Sequence, residues 1–164
     1  MIPWKRVVFG QSPSRTLRRA VWVGILTALC FGIAVRPVQV RGSSMEPTIR
    51  NGSAGLATRW WIDAQRNPER GDIVLIRRPG NQGFYLKRVL GLPGETLAFK
   101  DGVLFINGQM ESEPWVRTRS DWTLPPVRLG PDEFFVAGDN RAVAIYEQTA
   151  GVVHRSRLGG RLIF

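Results

Sequence analysis

The sequence predicts a mostly β domain preceded by one apolar helix, and three observations support this fold class. Residues 20–35 form an apolar run without a charge. After Pro37, β-branched and polar residues alternate, with frequent Gly and Pro, as is typical of short strands and turns. Asp101-Gly102 separates two apolar runs and is a strong hairpin signal. At 164 residues, the chain is expected to form one compact domain with a short appendage.

The apolar run is interpreted as a transmembrane anchor. It is slightly shorter than the roughly 20 residues that span a bilayer. Thr16 and Leu17 can extend it, and flanking arginines can snorkel to the interface. Basic residues are more frequent before the run than after it, which favours a cytoplasmic N-terminus. They are Lys5, Arg6, Arg15, Arg18 and Arg19 before the run, and Arg36 and Arg41 after it.

Two other interpretations of the run fit less well. A cleavable signal peptide needs a small-x-small site after the apolar residues, but Arg36-Pro37-Val38 follows. A buried helix of a soluble protein is disfavoured because the run is apolar on all sides. We therefore divide the chain into a cytoplasmic segment (1–16), a transmembrane anchor (17–36) and a β-rich catalytic domain (37–164).

Strands are expected wherever apolar and polar residues alternate after the anchor. The run at 72–76 reads as a buried strand, and the run at 83–92 carries Lys87. The segments on either side of Asp101-Gly102 should pair as a hairpin. The predicted strands are 38–41, 72–76, 83–92, 95–100, 103–107 and 133–137. Together they indicate one mostly β domain.

The composition excludes several kinds of site and partner. The net charge of +10 first suggests nucleic-acid binding, but the arginines are scattered and no helix-turn-helix or zinc-finger pattern is present. An anionic lipid surface fits better, so we expect a lipid bilayer and no nucleic acid as partner. With one cysteine, Cys30, and one histidine, His154, an intramolecular disulfide and a Cys/His metal cluster are excluded. We expect no metal and no cofactor.

Ser44 and Lys87 are the candidate nucleophile and base. A serine hydroxyl is a poor nucleophile until a base takes its proton, and no nucleophile-elbow sequence accompanies His154. A lysine is the next candidate, provided that burial or positive neighbours lower its pKa. Strand alternation places Tyr85 and Lys87 on one face and Arg88 on the other. We therefore expect Lys87 in an apolar cleft and Arg88 in solvent.

Each motif alone has a simpler explanation. Ser44 before Glu46-Pro47 is consistent with a helix N-cap. A lone strand lysine such as Lys87 is usually exposed, and Gly138-Asp139-Asn140 is usually a turn. Their joint occurrence, with Leu92-Pro93-Gly94 after the lysine and an apolar segment before the serine, favours the catalytic interpretation.

These stretches, in this order and spacing, resemble the type I signal peptidases, a family that includes mitochondrial inner membrane protease relatives. Its members are membrane-bound serine proteases with a Ser–Lys dyad. The resemblance covers the chain from Val38 to the end and includes the upstream anchor. It implies a signal-peptidase-like β catalytic domain with one N-terminal transmembrane helix. The implied activity is removal of signal peptides from exported preproteins.

The resemblance also implies residue roles. Ser44 would be the nucleophile, Lys87 the general base, and the Ser44 backbone N–H part of the oxyanion hole. Gly42 occupies a position where some members have a second hydroxyl, so that side-chain donor is absent. The substrate would bind as an added strand, with small residues before the cut in small apolar pockets. The substrate-binding residues would be Gln39, Val40, Met45, Ile49, Tyr85 and Leu86, and the structural motif Gly138, Asp139, Asn140 and Arg141.

The chain departs from the family pattern after Arg141. The family continues with a serine three residues later and then an Asp/Arg pair; here Ala144 stands at that position and no such pair follows. Glu147 and Thr149 are candidate substitutes. The departure leaves open a second hypothesis, a catalytically impaired homologue that acts as a membrane-tethered peptide-binding module.

The expected location is the bacterial plasma membrane, crossed once, with the N-terminus cytoplasmic and the catalytic domain outside. An organellar inner membrane or the thylakoid is the alternative. Few residues separate Val35 from Ser44, so at about 3.3 Å per extended residue the nucleophile should lie near the lipid surface. Trp60 and Trp61 are expected to touch the interface, where tryptophan is favoured.

Overall fold

The structure, a computed structural model, describes residues 13–59, 67–81, 83–118, 120–145 and 151–163. Over these residues the chain forms one helix and then β-strands joined by turns and short 3-10 segments. The helix is α1 (Pro13–Ala34). The strands are β1 (Val35–Gln39), β2 (Ala54–Thr58), β3 (Ile73–Arg77), β4 (Phe84–Gly91), β5 (Thr96–Lys100), β6 (Val103–Ile106), β7 (Gln109–Met110), β8 (Leu124–Arg128), β9 (Glu133–Ala137), β10 (Gly151–His154) and β11 (Leu158–Ile163).

Helix α1 contains the apolar run and is long and apolar enough, over Ser14–Ala34, to cross a membrane. It begins earlier than the predicted anchor at 17–36 because Pro13 suits a first helical turn. It ends at Ala34 because strand β1 begins with the next residue. The chain from Arg36 onward forms a separate compact unit.

The larger of two sheets has seven strands in the order β1-β2-β11-β3-β4-β9-β10. Strand β4 lies inside this sheet and pairs antiparallel with both β3 and β9. Alternate residues of β3 face two separate buried clusters. One cluster contains Val40, Met45, Ile49, Ala57, Ile73, Leu75 and Leu162. The other contains Val74, Ile76, Val89, Phe134, Val136, Val153 and Leu158.

The smaller sheet has four strands in the order β7-β6-β5-β8. The predicted hairpin is confirmed: β5 and β6 pair antiparallel, with Lys100 opposite Val103. The two turn residues, Asp101 and Gly102, have φ of 48° and 78°, as a type I′ turn requires. A third cluster, built around Phe99 and Trp122 with ring centroids 5.4 Å apart, packs behind this sheet.

The mostly β fold class with one N-terminal apolar helix is confirmed. The predicted strands at 72–76, 83–92, 95–100, 103–107 and 133–137 are present, with ends shifted by a residue or so. The first strand starts at Val35 rather than Val38, because the chain passes directly from helix to strand.

Candidate active site

A cleft of about 410 Å³ on the larger sheet contains both predicted catalytic residues, Ser44 and Lys87. One side is formed by the end of β1 and the loop after it, and the other by the first half of β4. The lining residues are Val38, Gln39, Val40, Arg41, Gly42, Ser44, Met45, Leu75, Arg78, Phe84, Tyr85, Leu86 and Lys87. The fold thus brings two residues that are distant in sequence to one concave surface.

The loop that carries Ser44 is fixed at both ends by backbone hydrogen bonds. Val40 exchanges hydrogen bonds with the Gly52–Ser53 segment, so the loop leaves and re-enters the domain at one point. Gly42 has a φ of 106°, which favours glycine, and its N–H donates to Asn51 Oδ1 over 3.0 Å. The next residue after the nucleophile, Met45, is 1% exposed and anchors the loop in the core.

The turn at 138–141 holds the Ser44 loop from the other side. The Asn140 backbone N–H donates to the Ser44 carbonyl over 3.0 Å, and Asn140 Nδ2 donates to the Ser43 carbonyl over 3.1 Å. These bonds hold the backbone on both sides of the Ser44 amide. Among the described residues, no acceptor takes the Ser44 N–H, so this amide is available as an oxyanion donor.

Lys87 is almost entirely removed from water, with 3% of its surface exposed. Burial lowers the pKa of its amine from 10.5 to about 8, and the charge of Asp139 opposes this shift. Ser44 and Lys87 line the same cleft. Among the contacts of the described residues, there is no hydrogen bond between Ser44 Oγ and Lys87 Nζ. Catalytic hydrogen bonds often tighten only when substrate binds. The arrangement therefore provides a lysine that is poised to lose its proton beside a serine.

The prediction that Arg88 lies in solvent was wrong. Its side chain is 8% exposed, and its Nε and Nη2 donate to the two carboxylate oxygens of Asp139 over 2.8 and 2.6 Å. Its guanidinium also lies 4.4 Å from the Trp115 ring. The physical reason is the place of β4 inside the sheet, where both faces are covered and a charge needs a partner.

A second buried ion pair supports the same turn. Both terminal nitrogens of Arg141 donate to the carboxylate of Glu113, one of them over 2.9 Å. The Arg141 guanidinium lies 4.9 Å from the Trp122 ring and is 2% exposed. Glu113 could not be predicted as a partner because it lies in a loop without a motif. The two ion pairs tie the turn to β4 on one side and to the loop that carries Glu113 on the other.

Five of the six predicted substrate-binding residues line the cleft, and one does not. Gln39, Val40, Met45, Tyr85 and Leu86 lie on its two sides. Ile49 is 5% exposed, packs in the core with Val40 and Met45, and borders a separate depression. The lining residues that were not predicted as site residues are Val38, Arg41, Leu75, Arg78 and Phe84. Ala144 is half-buried, whereas Glu147, Thr149, Trp60 and Trp61 lie outside the described residues.

Replacement of Asp139 by alanine should destabilise the domain by about 3–5 kcal/mol, because it leaves the Arg88 charge buried and unpaired. Asp139 is 1% exposed. Asp132→Ala removes an exposed carboxylate nearby and should change stability by less than about 0.5 kcal/mol. Thermal unfolding of the full chain in detergent measures both. Equal melting temperatures for the two variants would show that the buried pair does not support the fold.

Comparisons with known proteins cover most of the chain. The sequence profile described as "Signal peptidase, peptidase S26" matches residues 14–164. Signal peptidase I of Bacillus licheniformis is 31% identical over 156 residues, which cover 85% of this chain and 83% of the relative. Signal peptidase I P of Bacillus subtilis subsp. natto is 35% identical over 136 residues, 73% of each chain. A crystal structure of a signal peptidase I from Enterococcus faecalis V583 aligns at 28% identity with a TM-score of 0.47, covering 60% of this chain and 98% of that one.

Proposed function

Because the chain belongs to the signal peptidase family, peptidase S26, it is a serine peptidase that removes signal peptides, and we propose that Ser44 and Lys87 perform the reaction. The observation that carries this assignment is the shared cleft, in which a buried lysine with a lowered pKa lies beside a serine on a fixed loop. The family match gives the reaction, and the cleft suggests which side chains carry it out.

In the first step, neutral Lys87 accepts the proton of Ser44 as Oγ attacks the carbonyl carbon of the scissile peptide bond. A tetrahedral intermediate forms, and its negative oxygen accepts a hydrogen bond from the Ser44 backbone N–H. Lys87 then donates the proton to the leaving amine, and the peptide bond breaks to give an ester on Ser44. In the second half, Lys87 takes a proton from water as the water attacks the ester carbonyl. Lys87 then returns this proton to Ser44 Oγ as the ester bond breaks, which releases the signal peptide and restores the serine hydroxyl.

Lysine serves as the base here because it can exist as a free amine near neutral pH. With a pKa of about 8, roughly a tenth of the Lys87 side chains are unprotonated at pH 7. At its ordinary pKa of 10.5, the neutral fraction would be smaller by more than two orders of magnitude. Burial thus raises the fraction of Lys87 that is a neutral amine, and the charge of Asp139 keeps the pKa shift moderate.

The cleft suits an extended peptide that adds to the two strand edges lining it. Its aliphatic lining residues include Val40, Met45 and Leu86, of which Met45 and Leu86 directly adjoin Ser44 and Lys87 in sequence. Side chains of this size leave room for small residues at the first and third positions before the cut. A bulky residue in the first position should hold the scissile carbonyl away from Ser44.

Cleavage of a preprotein tests this function. We expect the purified full chain in detergent to cut a preprotein with alanine at the first position before the cut and to leave its leucine variant uncut. Mass spectrometry of the released mature protein locates the cut. Cleavage of both substrates at equal rates would contradict the small pocket, and cleavage of neither would contradict the function. The hypothesis of a catalytically impaired homologue has no support in the comparisons.

We further propose that α1 crosses a bacterial plasma membrane, with the N-terminus in the cytoplasm and the domain from Arg36 onward outside. The length and apolar composition of Ser14–Ala34 support a membrane span, and the excess of basic residues before the apolar run at 20–35 supports this orientation. The short connection from Ala34 to Ser44 would keep the nucleophile near the lipid surface, where a signal peptide leaves the bilayer.

Protease protection in oriented vesicles tests the orientation. Protease added to the outer face should degrade the domain after Pro37, and protease inside should leave it intact. Labelling of single cysteines is the matched control for the two sides. Cys30 is first replaced, and Ser14→Cys or Lys100→Cys is then introduced. Degradation of the domain from the cytoplasmic face only would reverse the topology and contradict a role on exported preproteins.

A further inference from the structure

Three arginines at one end of the larger sheet have no ion-pair partner within the described ranges of the chain. They are Arg36 in β1, Arg59 directly after β2 and Arg77 at the end of β3, and we call them the arginine row. None forms an ion pair with a carboxylate among the residues that the structure describes. Other arginines of the described ranges do form ion pairs with carboxylates, namely Arg70, Arg88, Arg141 and Arg161.

Strand alternation places the arginine row on the sheet face of Leu75 and Leu86, two of the residues that line the cleft. Each arginine of the row has an apolar residue two positions away in sequence: Val38, Ala57 and Leu75. Ala57 and Leu75 belong to one buried cluster with Val40 and Met45 of the cleft, and Val38 packs against that cluster. The row therefore continues this face beyond the edge of its apolar cluster.

Arg36 is held in place by contacts that leave most of its charge uncompensated. Its guanidinium carbon lies 3.9 Å from the centroid of the Phe84 ring, and its Nη2 donates to the Gly159 carbonyl over 3.0 Å. Its Nε is buried without a hydrogen-bond partner. A Cβ at Gly159 would lie 2.2 Å from Phe84 Cε1, so glycine is required for the ring to sit there.

The three positive charges act on one another. Burial, and then the charges of Arg59 and Arg77, lower the pKa of the Arg36 guanidinium. Gathering like charges is unfavourable unless an anion balances them. The planar guanidinium is weakly hydrated and matches the oxygens of a phosphate group.

The row lies at the end of the cleft remote from the catalytic pair. Phe84, which Arg36 contacts, lines the cleft at the start of β4, whereas Lys87 lies farther along the same strand. Directly opposite Phe84 on the neighbouring strand is Arg77. Arg36 also follows the apolar helix α1 closely in the chain.

We propose that the arginine row binds the phosphate of an anionic lipid headgroup. This inference rests on the proposed membrane placement of the chain, and it adds a defined binding site to a general attraction between basic residues and lipid. The bound phosphate would offset part of the row's positive charge and fix the end of the cleft at headgroup level.

Lipid binding by the full chain in non-ionic detergent tests the site, measured by native mass spectrometry during titration with phosphatidylglycerol. The test variant is Arg59→Gln with Arg77→Gln, since both side chains are exposed and their loss should not affect folding. The matched control is Arg117→Gln with Arg128→Gln, which removes the same charge from exposed positions elsewhere. Melting temperatures of both variants should equal that of the wild type.

We expect the test variant to bind phosphatidylglycerol about tenfold more weakly and the control variant to bind as the wild type does. Phosphatidylcholine should bind the wild type weakly in every case. Equal losses in both double variants would overturn the site. Inorganic phosphate binding as tightly as the lipid would keep a phosphate site but overturn its assignment to a lipid. Because the readout needs no cleavage, failure of the proposed peptidase activity would be seen separately in the preprotein assay.

Discussion

Replacement of Ser44 by alanine should lower the rate of preprotein cleavage by roughly 10³-fold or more, because the reaction loses the atom that attacks the peptide bond. The fold should be unchanged, since Ser44 is held through its backbone carbonyl by Asn140, and alanine keeps that contact. Initial rates of cleavage by the full chain in detergent measure the effect.

Ser43→Ala is the matched control, because Ser43 is the adjacent serine and also contacts Asn140 only through its backbone carbonyl among the described contacts. We expect this variant to retain activity within a few-fold of the wild type. Full activity of Ser44→Ala, or equal losses in the two variants, would remove Ser44 as nucleophile.

The second large effect concerns Lys87. Lys87→Arg should be inactive, again by roughly 10³-fold or more, because guanidinium stays protonated at all working pH values and cannot accept the serine proton. Lys87→Met keeps the length of the side chain without a base and should be inactive as well. Lys100→Arg, at an exposed lysine of β5, serves as the control and should leave the rate unchanged.

A structural role for Lys87 would give a different pattern. If Lys87 only filled space, methionine would preserve activity while arginine, which is larger, would impair it. Retention of activity in Lys87→Met would therefore contradict the general-base role, whatever the result for arginine. Melting temperatures of both variants show whether the fold is intact.

Much of the fold could be predicted from the pattern of apolar residues. Strands β3, β4, β5, β6 and β9 each contain a run of β-branched or aromatic residues, and their positions follow from it. Strand β8 contains Pro125-Pro126 and β11 contains Gly159-Gly160, residues that usually interrupt strands. Strand β11 forms because it lies between β2 and β3, which supply partners for its backbone. Such pairing depends on tertiary structure and leaves no local signal.

The candidate site also contains some residues that the sequence predicts and others that it could not predict. Ser44 and Lys87 stood out because each lies in a short motif, and strand alternation suggested that Lys87 could be buried. The partners of Arg88 and Arg141 could not be predicted, because they lie 51 and 28 residues away in sequence. One cue was present: an arginine in a strand that is covered on both faces needs a carboxylate, and Asp139 was already part of a motif.

The pH dependence of kcat/KM for a signal-peptide substrate is the most direct test of whether Lys87 activates Ser44. The unprotonated amine is the active form, so activity should rise with pH and level off above the pKa of Lys87, about 8. Below that point the rate should fall about tenfold per pH unit. A profile that is flat between pH 6 and 9, or one with its midpoint near 6.5 as for a histidine base, would contradict the Ser44–Lys87 mechanism.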